Sequence, residues 1–155
     1  WRFGGGVGKP LEEVLKKMSK GQIVVMDLEG SKTASAWGGL ASKLAIQKGV
    51  CGTVMWGTCR DVDEIRECGY PVWSTGVCPR RSRNEFTFGS INEKIKIGEV
   101  EIAPNDIIVA DASGVVCVPK NLISDILSNL EKIAKQETIL EDQVLRGTIQ
   151  NWDEL

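Results

Sequence analysis

Histidine is absent from the 155 residues. That removes Ser–His and Cys–His nucleophile pairs and every zinc site that uses imidazole. Long apolar runs are missing too: nothing approaches the roughly 18 residues of a membrane span, so no membrane partner is expected. No signal-peptide pattern opens the chain. Charge of one sign is not in excess. The formal net charge is -2, so no overall basic field points to nucleic acid. Cysteine pairs are also lacking. The five cysteines, Cys51, Cys59, Cys68, Cys78 and Cys117, are odd in number and never form CxxC, which argues against a disulfide framework and a zinc cluster. They read as reduced thiols of a cytoplasmic protein. Without imidazole, a bound metal must rely mainly on carboxylates and water, which selects hard ions such as Mg²⁺ or Mn²⁺.

Hydrophobic content of 42% and charged content of 26% are ordinary for a globular protein and fit one domain over residues 1–155. The chain opens on Trp1 rather than Met, as a fragment or a trimmed chain would. GGGVGKP, Gly4–Pro10, has the look of a phosphate loop. It fails because Phe3 stands where the first glycine belongs and Pro10 where the metal-binding hydroxyl belongs. It reads as a glycine-rich lead-in with no strand before it.

Pro10 opens a short helix, LEEVLKKMSK, that stops at Gly21. Gln22–Asp27 is a buried strand, and LEGSKTAS, Leu28–Ser35, reads as a polar loop. A helix follows over WGGLASKLAIQKG, ending at Gly49. GTVMW is a strand, DVDEIRECG a helix with Val62 and Ile65 on one side, and YPVWSTGV a strand. PRRSRNEF is a basic, turn-rich loop. KIKIGEVEI alternates around Gly98 like a hairpin. IAPNDIIVADASGVVCVP is two strands joined around Ala112–Gly114. Asn121 to about Leu145 has helical periodicity in Leu122, Ile126, Leu130, Ile133 and Leu140, and Gly147 follows it. The alternation followed by hairpins gives an α/β fold with mixed sheets and a long C-terminal helix.

Two strand-to-helix junctions carry the chemistry. At the first, Gly38, Gly39, Leu40 and Ala41 present unpaired helix-start amides that attract anions, and the glycines let a ligand approach the main chain. The same glycines also suit plain helix–sheet packing. At the second, Arg60 and Asp61 stand side by side. Either Asp61 caps the next helix and Arg60 is a solvated charge, or the two work as a pair. Asp27 and Asp111, each at a strand end, read as Asx-turn residues. Trp37 reads as packing, and Arg80, Arg81 and Arg83 as a solvated loop in preference to an anion-binding rim.

WGGLASKLAIQKGVCGTVMWGTCRDVDEIRECGYPVWSTG, followed by SINEKIKIGEVEIAPNDIIVADASGVVCVP, resembles the regulator-of-ribonuclease-activity A (RraA-like) family over about Gly21–Gly147. That family includes class II pyruvate aldolases acting on 4-hydroxy-4-methyl-2-oxoglutarate. The resemblance implies a swivelling β/β/α-type fold, assembled as trimers or hexamers with active sites between subunits. It implies a small keto-acid substrate whose carboxylate meets Gly38–Ala41, a substrate-binding Arg60, and Asp61 on a Mg²⁺ or Mn²⁺ ion. A glutamate from a neighbouring copy's C-terminal helix completes such sites, and Glu137 matches it best, with Glu141 next. Oxaloacetate decarboxylation passes through the same enolate. The family also includes non-catalytic members that bind a ribonuclease. Asn92 matches a family asparagine and reads as ordering the backbone. A methyltransferase label attached to related sequences lacks a cofactor-type glycine fingerprint here. Departures are Trp56, where the family has Asp or Asn, PND for PGD at Pro104–Asp106, GEV for GGV at Gly98–Val100, and a family N-terminal segment that reads as missing or much shortened.

Overall fold

The computed structural model describes residues 2–4, 10–82, 85–149 and 151. Residues 5–9 of the glycine-rich lead-in, and Arg83, lie outside them. The chain divides into two compact units, Trp1–Cys117 and Val118–Leu155.

In the first unit the elements run β1 (Arg2–Gly4), α1 (Pro10–Lys17), β2 (Ile23–Trp37), α2 (Gly39–Gln47), β3 (Gly52–Cys59), α3 (Val62–Glu67) and β4 (Val72–Val77). Then come β5 (Thr87–Ser90), β6 (Ile95–Ile97), β7 (Val100–Ile102), β8 (Ile107–Ala110) and β9 (Val115–Val118), the last ending at the boundary. Five strands form one sheet in the order β4-β3-β2-β1-β5. The first four are mutually parallel, and β5 pairs antiparallel with β1. β6 pairs antiparallel with β7 through Gly98, and β8 pairs with β9.

Two apolar clusters divide the faces of the sheet. On one face Val14 of α1, Met18 just after it, Ala41 and Ala45 of α2 and Ile65 of α3 pack on Val24, Met26, Met55 and Cys59 of the strands. On the other, Val25 and Val54 meet Ile95, with Ile97 and Ile102 of the β6–β7 hairpin around them. Helices cover one side and a second β layer the other. This is the β/β/α layering expected of strands whose two faces are both apolar.

Two elements differ from the sequence reading. Arg2–Gly4 is a strand, although nothing in three residues announces one. The stretch read as a polar loop continues β2, which runs for 15 residues. Its register against β3 jumps from Asp27↔Trp56 to Ser31↔Gly57, Ser35↔Thr58 and Trp37↔Cys59. Glu29 and Gly30 sit at positive φ, 54° and 70°, at the first jump. Extra residues on one strand only are how a bulged strand bends without leaving its sheet. Buried Leu28, Ala34, Ser35 and Ala36 hold the irregular part down. Gly30 also permits the indole of Trp56 to lie close: a Cβ there would stand 3.1 Å from its Nε1.

The expected turn residues do what their types allow. Asp27 Oδ1 accepts from the Glu29 amide at 2.8 Å, and Asp111 Oδ1 from Ser113 at 2.7 Å and Gly114 at 3.2 Å. Asp106 Oδ2 accepts from the Ala103 amide at 2.7 Å. Asn105 and Asn92 have φ of 72° and 56°, a region that asparagine tolerates better than most residues, so Asn105 fills a glycine-like position.

In the second unit a 3₁₀ turn, Lys120–Leu122, leads into α4, Ile123–Leu145. Not one residue of α4 is buried. Its apolar positions still form a heptad-spaced seam, Ile123, Ile126, Leu130, Ile133, Leu140 and Val144. Glu137 occupies the one seam position that is charged. Among the described residues, no helix is long and apolar enough to cross a membrane.

Candidate active site

β2 and β3 are parallel neighbours, and Trp37↔Cys59 is their last registered pair. The residues that follow, Gly38 and Arg60, therefore leave the same edge of the sheet side by side, where α/β folds gather their ligand-binding loops. The Arg60 amide donates to the Trp37 carbonyl at 2.9 Å, and Cys78 N to the Cys59 carbonyl at 2.9 Å. Trp37 is fully buried and stacks on Tyr70 with ring centroids 6.0 Å apart. Its Nε1 donates to Ser42 Oγ at 2.9 Å, and that hydroxyl donates to the Gly38 carbonyl at 3.1 Å. Trp37 is a packing residue that fixes the start of α2.

Asp61 adopts the left-handed conformation, φ 55° and ψ 42°, and its side chain makes no cap for α3. It turns to the neighbouring helix, where Oδ2 accepts from the Gly39 amide at 3.2 Å. The capping alternative is thus not taken up. Arg60 Nε stands 3.3 Å from the same oxygen. Arg60 Nη1 donates to Ser35 Oγ at 3.4 Å, and Ser35 Oγ donates to the Arg80 carbonyl at 3.1 Å. Arg60 and Asp61 are therefore one connected pair, tied on one side to α2 and on the other to the bulged end of β2.

Gly38 is extended, φ -164° and ψ -171°, so its backbone does not need glycine. Space does. A Cβ would fall on Asp61 Oδ2 and lie 3.1 Å from Arg60 Cγ. At Gly39 a Cβ would meet Glu64 Oε2 at 2.5 Å, and Glu64 is held by Lys43 Nζ at 3.0 Å. The two glycines thus make room for the side chains of Arg60, Asp61 and Glu64, not only for helix–sheet packing. Gly39 N is occupied by Asp61, whereas the Leu40 and Ala41 amides lie in the first turn of α2 without intrahelical partners. The Leu40 side chain is 80% exposed, so the surface beside these amides is open.

Among the described residues no three acidic, cysteine or histidine side chains cluster as a metal cage. Asp61 Oδ1 has no protein partner among them. One free carboxylate oxygen on an open shelf fits a hard ion that keeps most of its waters, as Mg²⁺ does, and does not fit an all-protein cage. A cleft of about 610 Å³ opens elsewhere in the first unit, over Gly21–Val25, Ile102 and Pro104–Ile108. It includes neither Arg60 nor Asp61. Glu137 and Glu141 both lie on α4, exposed.

Sequence reasoning located Gly38–Ala41, Arg60 and Asp61 but passed over Ser35 and Glu64. Ser35 was hidden in the stretch read as loop. Its one signal was a small polar residue between two alanines just before the glycine turn.

The Aldolase/RraA model of the RraA-like family matches residues 7–117. An uncharacterized protein of Methanocaldococcus jannaschii is 35% identical over 131 residues, 83% of this chain and 62% of the relative. The 4-hydroxy-4-methyl-2-oxoglutarate aldolase of Thermus thermophilus is 30% identical over 110 residues, 71% of this chain and 66% of that enzyme. The chain therefore spans less than two thirds of either relative. The crystal structure of an unusual member of the RNase ES inhibitor RraA protein family from Streptomyces coelicolor superposes with a TM-score of 0.85 at 27% identity, covering 92% of this chain and 74% of that one.

Proposed function

The chain belongs to the RraA-like family, and on that premise we propose that it is a divalent-metal-dependent class II pyruvate aldolase. Its substrates in this reading are keto acids of the 4-hydroxy-4-methyl-2-oxoglutarate type, with oxaloacetate decarboxylation as a second outcome. The observation that carries the reading is the arrangement of Arg60, Asp61 and the start of α2 around one open point.

Cleavage removes the proton of the C4 hydroxyl and breaks C3–C4. The electron pair passes to C3 and the C2 oxygen as an enolate, and protonation at C3 yields two pyruvates. What the protein must stabilise is the negative charge developing on the C2 oxygen. Two donor groups of Arg60 are engaged internally, on Nε and Nη1. The rest of its five-donor fork is free to face that oxygen. The Leu40 and Ala41 amides would receive the C1 carboxylate. Asp61 Oδ1 would hold Mg²⁺ or Mn²⁺, which when bound supplies Lewis-acid stabilisation of the enolate. Glu137 from a second copy would complete the site in a homotrimer or hexamer and take up the hydroxyl proton, directly or through water. The bare seam of α4 supports assembly, because an apolar stripe of this length is normally covered.

The test is pyruvate release from 4-hydroxy-4-methyl-2-oxoglutarate and from oxaloacetate with Mg²⁺ or Mn²⁺. We expect turnover that a chelator abolishes and that Asp61→Asn lowers by about 100-fold or more. Metal-independent turnover, no turnover, or full activity in Asp61→Asn would reject the reading.

A second reading is a non-catalytic regulator that binds a ribonuclease or another protein. It is favoured by the likeness to the Streptomyces structure. A stable complex with a ribonuclease, unaffected by Asp61→Asn in a protein that turns over neither acid, would establish it.

A further inference from the structure

The dicarboxylic substrates above carry a second carboxylate that neither Arg60 nor the α2 amides account for. We propose that Arg81 binds this distal carboxylate and so sets the preference for dicarboxylic over monocarboxylic keto acids; the proposal rests on the aldolase reading of the same site.

Ser35, which accepts the Arg60 Nη1 bond, also fixes the 80–81 backbone. Its amide donates to the Arg80 carbonyl at 2.9 Å, its hydroxyl donates to the same oxygen at 3.1 Å, and Ser35 and Arg81 form a parallel bridge. A bridge of that kind sets the two main chains about 4.8 Å apart. The main chain of Arg81 is thereby anchored one strand spacing from Ser35, the residue that steadies Arg60.

Among the described residues, two other cations of these segments are committed. Arg80 pairs with Glu85, and Lys43 with Glu64. Arg81 is exposed and, among the described residues, has no acidic partner. A planar guanidinium left unpaired beside a site for anionic acids suits bidentate recognition of a carboxylate. Lys32, exposed on the bulged part of β2, has a similar charge but no backbone bridge to the site, and serves as the control.

The experiment measures binding of 2-oxoglutarate and of 2-oxobutyrate to the Mg²⁺-loaded protein by calorimetry, for wild type, Arg81→Ala, Arg81→Lys and Lys32→Ala. Arg81→Ala should weaken 2-oxoglutarate by about 10- to 100-fold, the range for a charged hydrogen bond, while leaving 2-oxobutyrate within about twofold. Arg81→Lys should recover part of the loss, and Lys32→Ala should resemble wild type. Equal effects on both ligands, or no preference for 2-oxoglutarate in wild type, would overturn the proposal. Because binding is read without turnover, failure of the aldolase assay with this pattern intact would sink the activity and leave the specificity role standing.

Discussion

Gly38→Ala separates packing from function at this site. The extended backbone of Gly38, φ -164° and ψ -171°, accepts alanine. The methyl group would nevertheless land on Asp61 Oδ2 and lie 3.1 Å from Arg60 Cγ and 3.2 Å from Arg60 Cζ. Overpacking of a rigid core costs about 1–3 kcal/mol. Here the obstructing side chains are 22% exposed for Arg60 and 36% for Asp61, so both can swing outward. Alanine also gains roughly 0.4–1 kcal/mol by restricting the unfolded chain. The net loss of stability should be about 1 kcal/mol or less. The swing, however, displaces the guanidinium and the carboxylate, and a misplacement of about 1 Å can cost roughly 100-fold in rate. The assay pairs kcat/KM for metal-dependent pyruvate release with a urea unfolding curve. The expected result is a loss of about 100-fold with a midpoint shift under about 1 M, given typical slopes of 1–3 kcal/mol per M. Undiminished activity would refute the idea that these two side chains do the chemistry. A loss of activity matched by collapse of the fold would show that Gly38 serves packing alone.

Other expectations concern assembly and pH. Arg60→Ala and Glu137→Gln should each be nearly inactive alone, and mixing them under conditions that exchange subunits should restore part of the activity; no restoration would argue that Glu137 does not serve a neighbouring copy. Tyr70 is the only tyrosine, and burial pushes its hydroxyl up to about 12, partly offset by the hydrogen bond with Thr53. The unfolded chain releases that proton near pH ~10, before the native state does. The associated stability is therefore fully present below that pH and is lost progressively up to about 12, by on the order of 3 kcal/mol. A native tyrosinate absorbance midpoint near 10 would contradict the burial.

The sequence made most of this fold readable because its punctuation is conventional. Gly21, Gly49 and Gly69 take positive φ after α1, α2 and α3, and Gly98 and Gly147 do the same in the hairpin and after α4. Strands β3 and β4 carry the apolar stretches Val54–Trp56 and Val72–Trp73 between such signals. The bulged half of β2 was not readable, because its polar residues and Gly30 are those of a loop; only burial of Leu28, Ala34 and Ala36 against the sheet decides for strand. The Arg60–Asp61 junction could be located, since it follows from parallel neighbours ending at one edge. The partner of Asp61 could not. An aspartate before a helix normally caps that helix, and only the positive φ at residue 61 directs it to Gly39. Ser35 was missed for a related reason: its role depends on the 80–81 segment, 45 residues away.

The positive φ of Asp61 has a practical use. Side chains other than Gly, Asn and Asp resist that twist by about 1–2 kcal/mol. Asn keeps the turn and drops the charge, Glu keeps the charge and opposes the turn, and Gly keeps the turn with nothing attached. Three replacements at one codon thus resolve the electrical from the conformational contribution of a single residue, whereas alanine scanning would merge them into one number.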